Sequence, residues 1–127
     1  MKLWEAILEG AKLRPQAFGE TYDRTTGGTC ALGAVLDSLN IPSAEMHCEH
    51  IALRLNFPIL AREVEHPLFP NITGRIESII IDLNDGFHWS RQRIAEWVKS
   101  VEHQYGKQTN KEVCSSAPTR ELEKQTA

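Results

Sequence analysis

Trp89-Ser90-Arg91-Gln92-Arg93-Ile94-Ala95-Glu96-Trp97-Val98-Lys99-Ser100-Val101 is the stretch that decides the fold class. Ser90 can accept hydrogen bonds from the free N–H groups of a first helical turn. Trp89 before it and Ile94 after it have the spacing of a hydrophobic staple. Ile94, Trp97, Val98, Val101 and Tyr105 then recur every three or four residues, which places them on one face of a helix, and Gly106 suits its C-terminal end. Such a stripe gains free energy only when other apolar surface covers it, so the rest of the chain is read for partners.

Residues 3–13 supply one. Leu3, Trp4, Ile7, Leu8 and Ala11 share a helical face while Glu5, Glu9 and Lys12 point away, and Pro15 should stop the helix. Residues 16–28, with Gly19, Thr25, Thr26, Gly27 and Gly28, read as a loop. A second helix is expected from a Thr29 cap through Leu32, Val35, Leu36 and Leu39, ended by Asn40 and Pro42, with Gly33 permitting close approach of a neighbour. Ser43 would cap a third, with Ala44, Cys48, Ile51 and Leu55 as its stripe. Pro58, Pro67 and Pro70 limit residues 58–71 to a short helix and an irregular connection. Ile72, Ile76, Ile79, Ile80 and Leu83 have helical period, although the β-branched run Ile79-Ile80-Ile81 also suits a strand, and Asp85-Gly86 makes a stop.

These elements predict an all-α fold: a compact bundle of about five helices over residues 1–106, followed by a polar tail, 107–127, expected to be disordered or at most a frayed helix over 119–125. The chain of 127 residues, 41% hydrophobic and 24% charged, is long enough for one core without staples. Its net charge of −3 and pI near 5.9 argue against nucleic acid as a partner, because phosphate contacts need a basic surface. Glu5, Glu9 and Lys12 interrupt any signal-peptide core, and no run approaches the roughly 20 apolar residues that span a bilayer. Cys30, Cys48 and Cys114, odd in number and without Cys-x-x-Cys spacing, read as free thiols. The expectation is a cytoplasmic protein with no membrane association.

Chemistry is sought at four places. Cys30 would lie in the first turn of a helix, where the dipole favours a thiolate, and His88 with Asp85 or Asn84 could complete a nucleophile–base–orienter set. Packing of a small buried thiol is the plainer reading. His47 and His50 lie three apart and Glu63-x-x-His66 contains one metal-type pair, but a di-iron bundle needs two such pairs, and no metal is expected. Arg91 and Arg93 oppose the dipole in the first turn of the last helix. Pairing with Asp82 or Asp85 would compensate them. Alternatively both arginines, with His88 and the free N–H groups, would hold an anion. Ser90 to Glu96 also has the look of the first helix of a helix-turn-helix, but Trp97 to Glu102 continues without a turn. No cofactor-binding motif is present, so no cofactor is expected.

Thr29-Cys30-Ala31-Leu32-Gly33-Ala34, together with Leu83-Asn84-Asp85, Trp89-Ser90-Arg91 and Ile94-Ala95-Glu96-Trp97, resembles a domain-of-unknown-function group of short bacterial and phage-borne proteins. In that group a Cys-x-x-Gly-Ala helix start is paired with a downstream Asn-Asp segment and a closing helix. The resemblance covers about a third of the chain and implies a helical fold, no transferable activity, and a meeting of Cys30 with Asn84-Asp85 across the fold. The expected function is a non-enzymatic accessory or interaction module that binds a macromolecular partner or a small anionic ligand, with Asp85, His88, Trp89, Arg91 and Arg93 as binding residues and Cys30 as a reactive thiol. The alternative is a thiol-dependent hydrolase or transferase built on Cys30, His88 and Asp85. Phe18, Phe69 and Phe87 are apolar positions that a second copy, as in a homodimer, would cover.

Overall fold

A computed structural model describes residues 1–41 and 49–115, and the side-chain surroundings of 1–41 and 51–105. Among these, five helices form: α1 (Leu3–Ala11), α2 (Ala31–Ser38), α3 (Glu49–Asn56), α4 (Ile76–Ile81) and α5 (Arg91–Ser115). A 3-10 turn covers Pro58–Ala61 and a π-helical turn covers Asp82–Gly86. Two antiparallel pairs of strands accompany them, β1 (Tyr22–Asp23) with β2 (Gly28–Thr29) and β3 (Glu63–Glu65) with β4 (Thr73–Arg75). The all-α expectation is therefore corrected: the fold mixes helices with two small sheets.

The first sheet forms inside what reads as a loop because its turn is chemically specified. Asp23 Oδ1 accepts from the Thr25 N–H at 2.8 Å, and the Gly27 N–H closes the turn on the Asp23 carbonyl at 2.7 Å. Gly27 has φ +75, a conformation that glycine adopts without a Cβ penalty. Tyr22 then faces Thr29. The Pro15–Ala17 segment joins the other edge of β2, with Thr29 N–H donating to Pro15 and Ala17 N–H donating to Thr29, both at 2.9 Å. Thr29 is thus a strand residue and not the helix cap. Cys30 caps α2, its Sγ accepting from the Gly33 N–H at 3.4 Å. In the second sheet Val64 is buried between exposed Glu63 and Glu65, and Glu65 faces Thr73.

Leu3 and Ile7 of α1, Val35 and Leu36 of α2, Leu53 of α3, Leu60, Ile76 and Ile80, Leu83, and Ile94 and Val98 of α5 make the core. Each such side chain contributes roughly 1.5–3 kcal/mol when fully buried. Glu102 of α5 fixes α1 from below, its two carboxylate oxygens accepting from the Leu3 and Trp4 N–H groups at 2.8 and 2.9 Å. An acidic group there satisfies orphan donors and complements the positive end of the helix. Helix α2 ends on Asn40 at φ +62, with the Ile41 N–H returning to the Leu36 carbonyl at 3.1 Å.

Three further expectations are corrected. In α3 the buried face carries Leu53, while Ile51 and Leu55 are 72% and 77% exposed. Arg54 holds that rotation, its Nε donating to Glu77 Oε1 of α4 at 3.0 Å. Ser43, Ala44 and Cys48, the start of the expected stripe, lie outside the described residues, as does the segment 116–127. Helix α4 starts at Ile76 and not at Ile72, which is 55% exposed at the end of the hairpin turn, and α5 passes Gly106 to reach Ser115.

Candidate functional site

The π-helical turn that follows α4 places three polar side chains where two separate loops reach it. Asn84 is fully buried. Its Oδ1 accepts from the Ala31 N–H at 3.2 Å, the first orphan donor of α2, and from Gln16 Nε2 at 2.8 Å. Its Nδ2 donates to the Ala17 carbonyl at 2.9 Å and to Asp85 Oδ1 at 2.7 Å. Asp85 Oδ1 also accepts from the Gly19 N–H at 2.8 Å. The peptide groups on both sides of Phe18 are therefore held, one by Asn84 and one by Asp85.

Asp82 does the same for the β3–β4 connection. The buried His66 ring donates from Nε2 to Asp82 Oδ2 across 2.9 Å, because its Nδ1 is occupied as acceptor of the Leu68 N–H at 3.1 Å. Phe69 packs on that ring with centroids 5.0 Å apart, and Phe87, directly after the π-helical turn, lies 5.9 Å from Phe69 and 6.3 Å from His66. His88 adopts φ +53 and lies against Phe18 at 4.3 Å. An unstrained side chain rarely takes this conformation, and the surrounding contacts hold it. Phe18, Phe69 and Phe87 are 45%, 42% and 43% exposed, so three loops present large apolar rings to solvent around one polar hub.

The other residues singled out in the sequence have definite positions. Arg91 is 8% exposed and turned inward. It donates to the carbonyls of Ala11 (3.4 Å), Arg14 (2.7 Å) and Thr29 (3.4 Å) and to Thr29 Oγ1 (3.1 Å), tying the end of α1 to β2. Burial lowers its pKa, partly opposed by Cys30 and Asp37. Arg93 lies over the Trp89 ring at 3.8 Å, and its N–H donates to Ser90 Oγ at 3.0 Å. The Trp89 carbonyl accepts from Gln16 Nε2 at 2.8 Å. Neither arginine pairs with Asp82 or Asp85, whose oxygens serve His66 and Gly19.

Cys30 does stand beside the Asn84-Asp85 segment, one residue from the Asn84-bonded Ala31 N–H. Its chemistry is the reverse of an activated nucleophile. Burial pushes the thiol above its ordinary 9.0 and the Asp85 charge adds to this, against the lowering effect of the N–H groups of Gly33 and Leu32. Helix-terminal placement is outweighed by desolvation. His88 makes no hydrogen bond to Cys30 or Asp85 among the described residues, and faces Phe18 instead.

We expect native Cys30 to alkylate with iodoacetamide about a hundredfold or more slowly than in unfolded chain, because reaction requires opening. Mass spectrometry of the Cys30 peptide reads this; alkylation at a free-thiol rate would contradict the burial. The same shift carries a pH signature. A thiol whose folded pKa is raised keeps its full stabilising contribution below 9.0 and loses it as pH climbs toward the folded value. Wild type should therefore lose more stability above pH 9 than Cys30→Ser, which retains a capping oxygen.

His47 and the His50 side chain lie outside the described surroundings, while Glu63 sits on β3 and His66 is committed to Asp82. No trio of His, Cys, Asp or Glu side chains suited to a metal occurs among the described residues, and no described helix is long and apolar enough to cross a membrane. An open groove of about 620 Å³ lined by Lys2, Pro58, Ile59, Ala61, Arg62, Glu102 and Tyr105 shares no residue with the π-helical turn.

Sequence reading missed the hub. Asp82–His66 joins residues sixteen apart with no local pattern, and Gln16 sits in a stretch that reads as loop. The usable signal was Phe18, Phe69 and Phe87, each an aromatic residue in an otherwise polar or turn-rich segment. No protein-family model, curated protein or solved structure matches the chain.

Proposed function

We propose that this chain is a non-enzymatic interaction module of the cytoplasm that docks a protein partner on the aromatic end built from Phe18, Phe69 and Phe87. The observation that carries this reading is the holding of loops that bear exposed phenylalanines by one polar turn: Asp82 through the buried His66 ring on which Phe69 packs, and Asn84 with Asp85 through the peptide groups flanking Phe18. The exposed two-fifths of each ring adds nothing to the fold, whereas a binding surface gains affinity when its anchors are ordered before the partner arrives. Phe69 and Phe87 lie 5.9 Å apart and Phe18 rests on His88, the residue after Phe87; single exposed apolar residues are ordinary, whereas several brought to one turn are not. An anionic small molecule is less well supported, since Arg91 spends its donors on carbonyls and Ser90 already caps the N–H of Arg93.

The test is a pair of surface variants. Phe69→Ser with Phe87→Ser should melt within about 2 kcal/mol of wild type, as partly exposed substitutions do. It should lose proteins that the wild type retains from a cell extract. Leu55→Ser, at an exposed position on α3, should retain them. Retention of the same proteins by all three chains would remove the aromatic end from the function.

A further inference from the structure

We infer that the partner segment bound at the aromatic end is cationic, with lysine or arginine alternating with apolar anchors. This rests on the docking reading and adds the partner's chemistry to it. The three loops that meet at the π-helical turn, residues 16–20, 65–72 and 82–89, carry four carboxylates, Glu20, Glu65, Asp82 and Asp85, and neither lysine nor arginine. The chain as a whole carries −3, so these segments hold more than its net acid excess; the cation that borders them is Arg93, stacked on the Trp89 ring.

Asp82 is the central charge. Its side chain is 49% exposed, one oxygen serves His66, and the other receives no hydrogen bond among the described residues. Phe69 and Phe87 lie beside it through their contacts with the His66 ring. A guanidinium or ammonium over either ring meets the negative face of the π-system and a carboxylate at once. The rim carboxylates of Glu20 and Glu65 are exposed and extend the same field outward, where they steer a basic partner and reject an acidic one.

That distribution also selects among occupants. Two copies meeting face to face through a two-fold axis would set the same four carboxylates against each other, with the bordering Arg93 already stacked on its own Trp89. Nucleic acid and anionic lipid surfaces are repelled for the same reason. A basic, apolar protein segment answers both the rings and the charges.

Selection of random peptides on immobilised full-length protein tests this, with enriched sequences synthesised and measured by fluorescence anisotropy. Enriched peptides should combine Arg or Lys with Leu, Met or aromatic residues. Their affinity should fall about tenfold with Phe69→Ser and about fivefold with Glu20→Gln plus Glu65→Gln, the latter with a weaker salt dependence. Both variants are checked for a native melting transition.

Neutral or acidic peptides that still need Phe69 would overturn the cationic assignment and leave docking standing. Peptides that bind Phe69→Ser with Phe87→Ser as well as wild type, or no enrichment at all, would overturn both. A wild-type dimer in sedimentation that Phe87→Ser dissociates would assign the face to a second copy instead.

Discussion

Gly10→Ala is expected to leave the protein largely unfolded, with a loss of about 4 kcal/mol or more from a total that for a domain is about 5–15. The reason is where α1 crosses α2. A Cβ on Gly10 would stand 1.7 Å from the Ala34 carbonyl oxygen and 2.3 Å from its carbonyl carbon. Both are backbone atoms inside a helix, so no rotamer change relieves the overlap; the helices must separate and open Leu3, Ile7, Val35 and Leu36 to water. The sign is diagnostic, since helix propensity alone predicts that glycine to alanine inside a helix stabilises by about 1 kcal/mol. Gly74→Ala is the control: its nearest neighbour would be Ile79 Cγ1 at 3.6 Å, ordinary contact, and little change is expected. Thermal melts of the two variants decide the matter. A Gly10→Ala chain as stable as wild type would mean that α1 and α2 do not cross at Gly10 and Ala34.

The parts of the fold that were legible are those whose evidence is local and long. Ser90 accepts from Arg93 N–H as its position before Ile94 implies, and α1 buries Leu3 and Ile7 of the expected stripe. Helical periodicity needs several turns to declare itself, and these segments have them. Strands of two and three residues offer no alternation to read, so β1 to β4 vanished into loops rich in Gly, Thr and Pro. Residues 72–83 divided for a similar reason: Ile72 fits the helical spacing but belongs to a turn, its carbonyl accepting from the His66 N–H at 2.8 Å. In α3, Ile51 and Leu55 satisfy a stripe as well as Leu53 does, and the choice between faces is made by Arg54 meeting Glu77 on another helix. Periodicity states that a face exists; only the neighbour states which one.

Single residues of the candidate site stood out in the sequence, but neither their assembly into a hub nor their roles did. Of the expected set Asp85, His88, Trp89, Arg91 and Arg93, His88 lies against Phe18 and Arg93 over Trp89, while Asp85 and Arg91, together with Asn84, act inward. Arg91 satisfies carbonyls, Asn84 satisfies a helix start, and Asp85 holds Gly19. A polar residue near a loop looks the same in sequence whether it faces a ligand or the chain's own backbone. What separates the two is whether unpaired peptide groups lie within reach, and that depends on the path of residues 14–19, which only the folded chain defines.

Asn84→Ala should cost about 3–5 kcal/mol, because it removes four hydrogen bonds at once and leaves the buried Ala31 N–H and Ala17 carbonyl without partners. Unlike a core truncation, the damage is directed: residues 16–19 lose their hold on the π-helical turn, and Phe18 loses its fixed place among the exposed rings. Partner binding should therefore fall even at temperatures where the remaining fold persists, and amide exchange should rise first in residues 16–19 and at the start of α2. Asn84→Asp separates shape from hydrogen bonding. It preserves volume but points an oxygen at the Ala17 carbonyl and the Asp85 carboxylate, where Nδ2 now donates. The introduced carboxyl, buried beside Asp85, will have a folded pKa raised above its unfolded value of about 3.9. A group so shifted gives its stabilising contribution below the unfolded pKa and loses it as pH rises through the folded one. Asn84→Asp should thus be poorly stable at pH 7 and recover relative to wild type as pH falls toward 4, while Asn84→Ala shows no such recovery. Parallel pH–stability curves for the two variants would mean that Asn84 fills space at the hub and does not hold it by hydrogen bonds, and the fixed presentation of Phe18 would lose its cause.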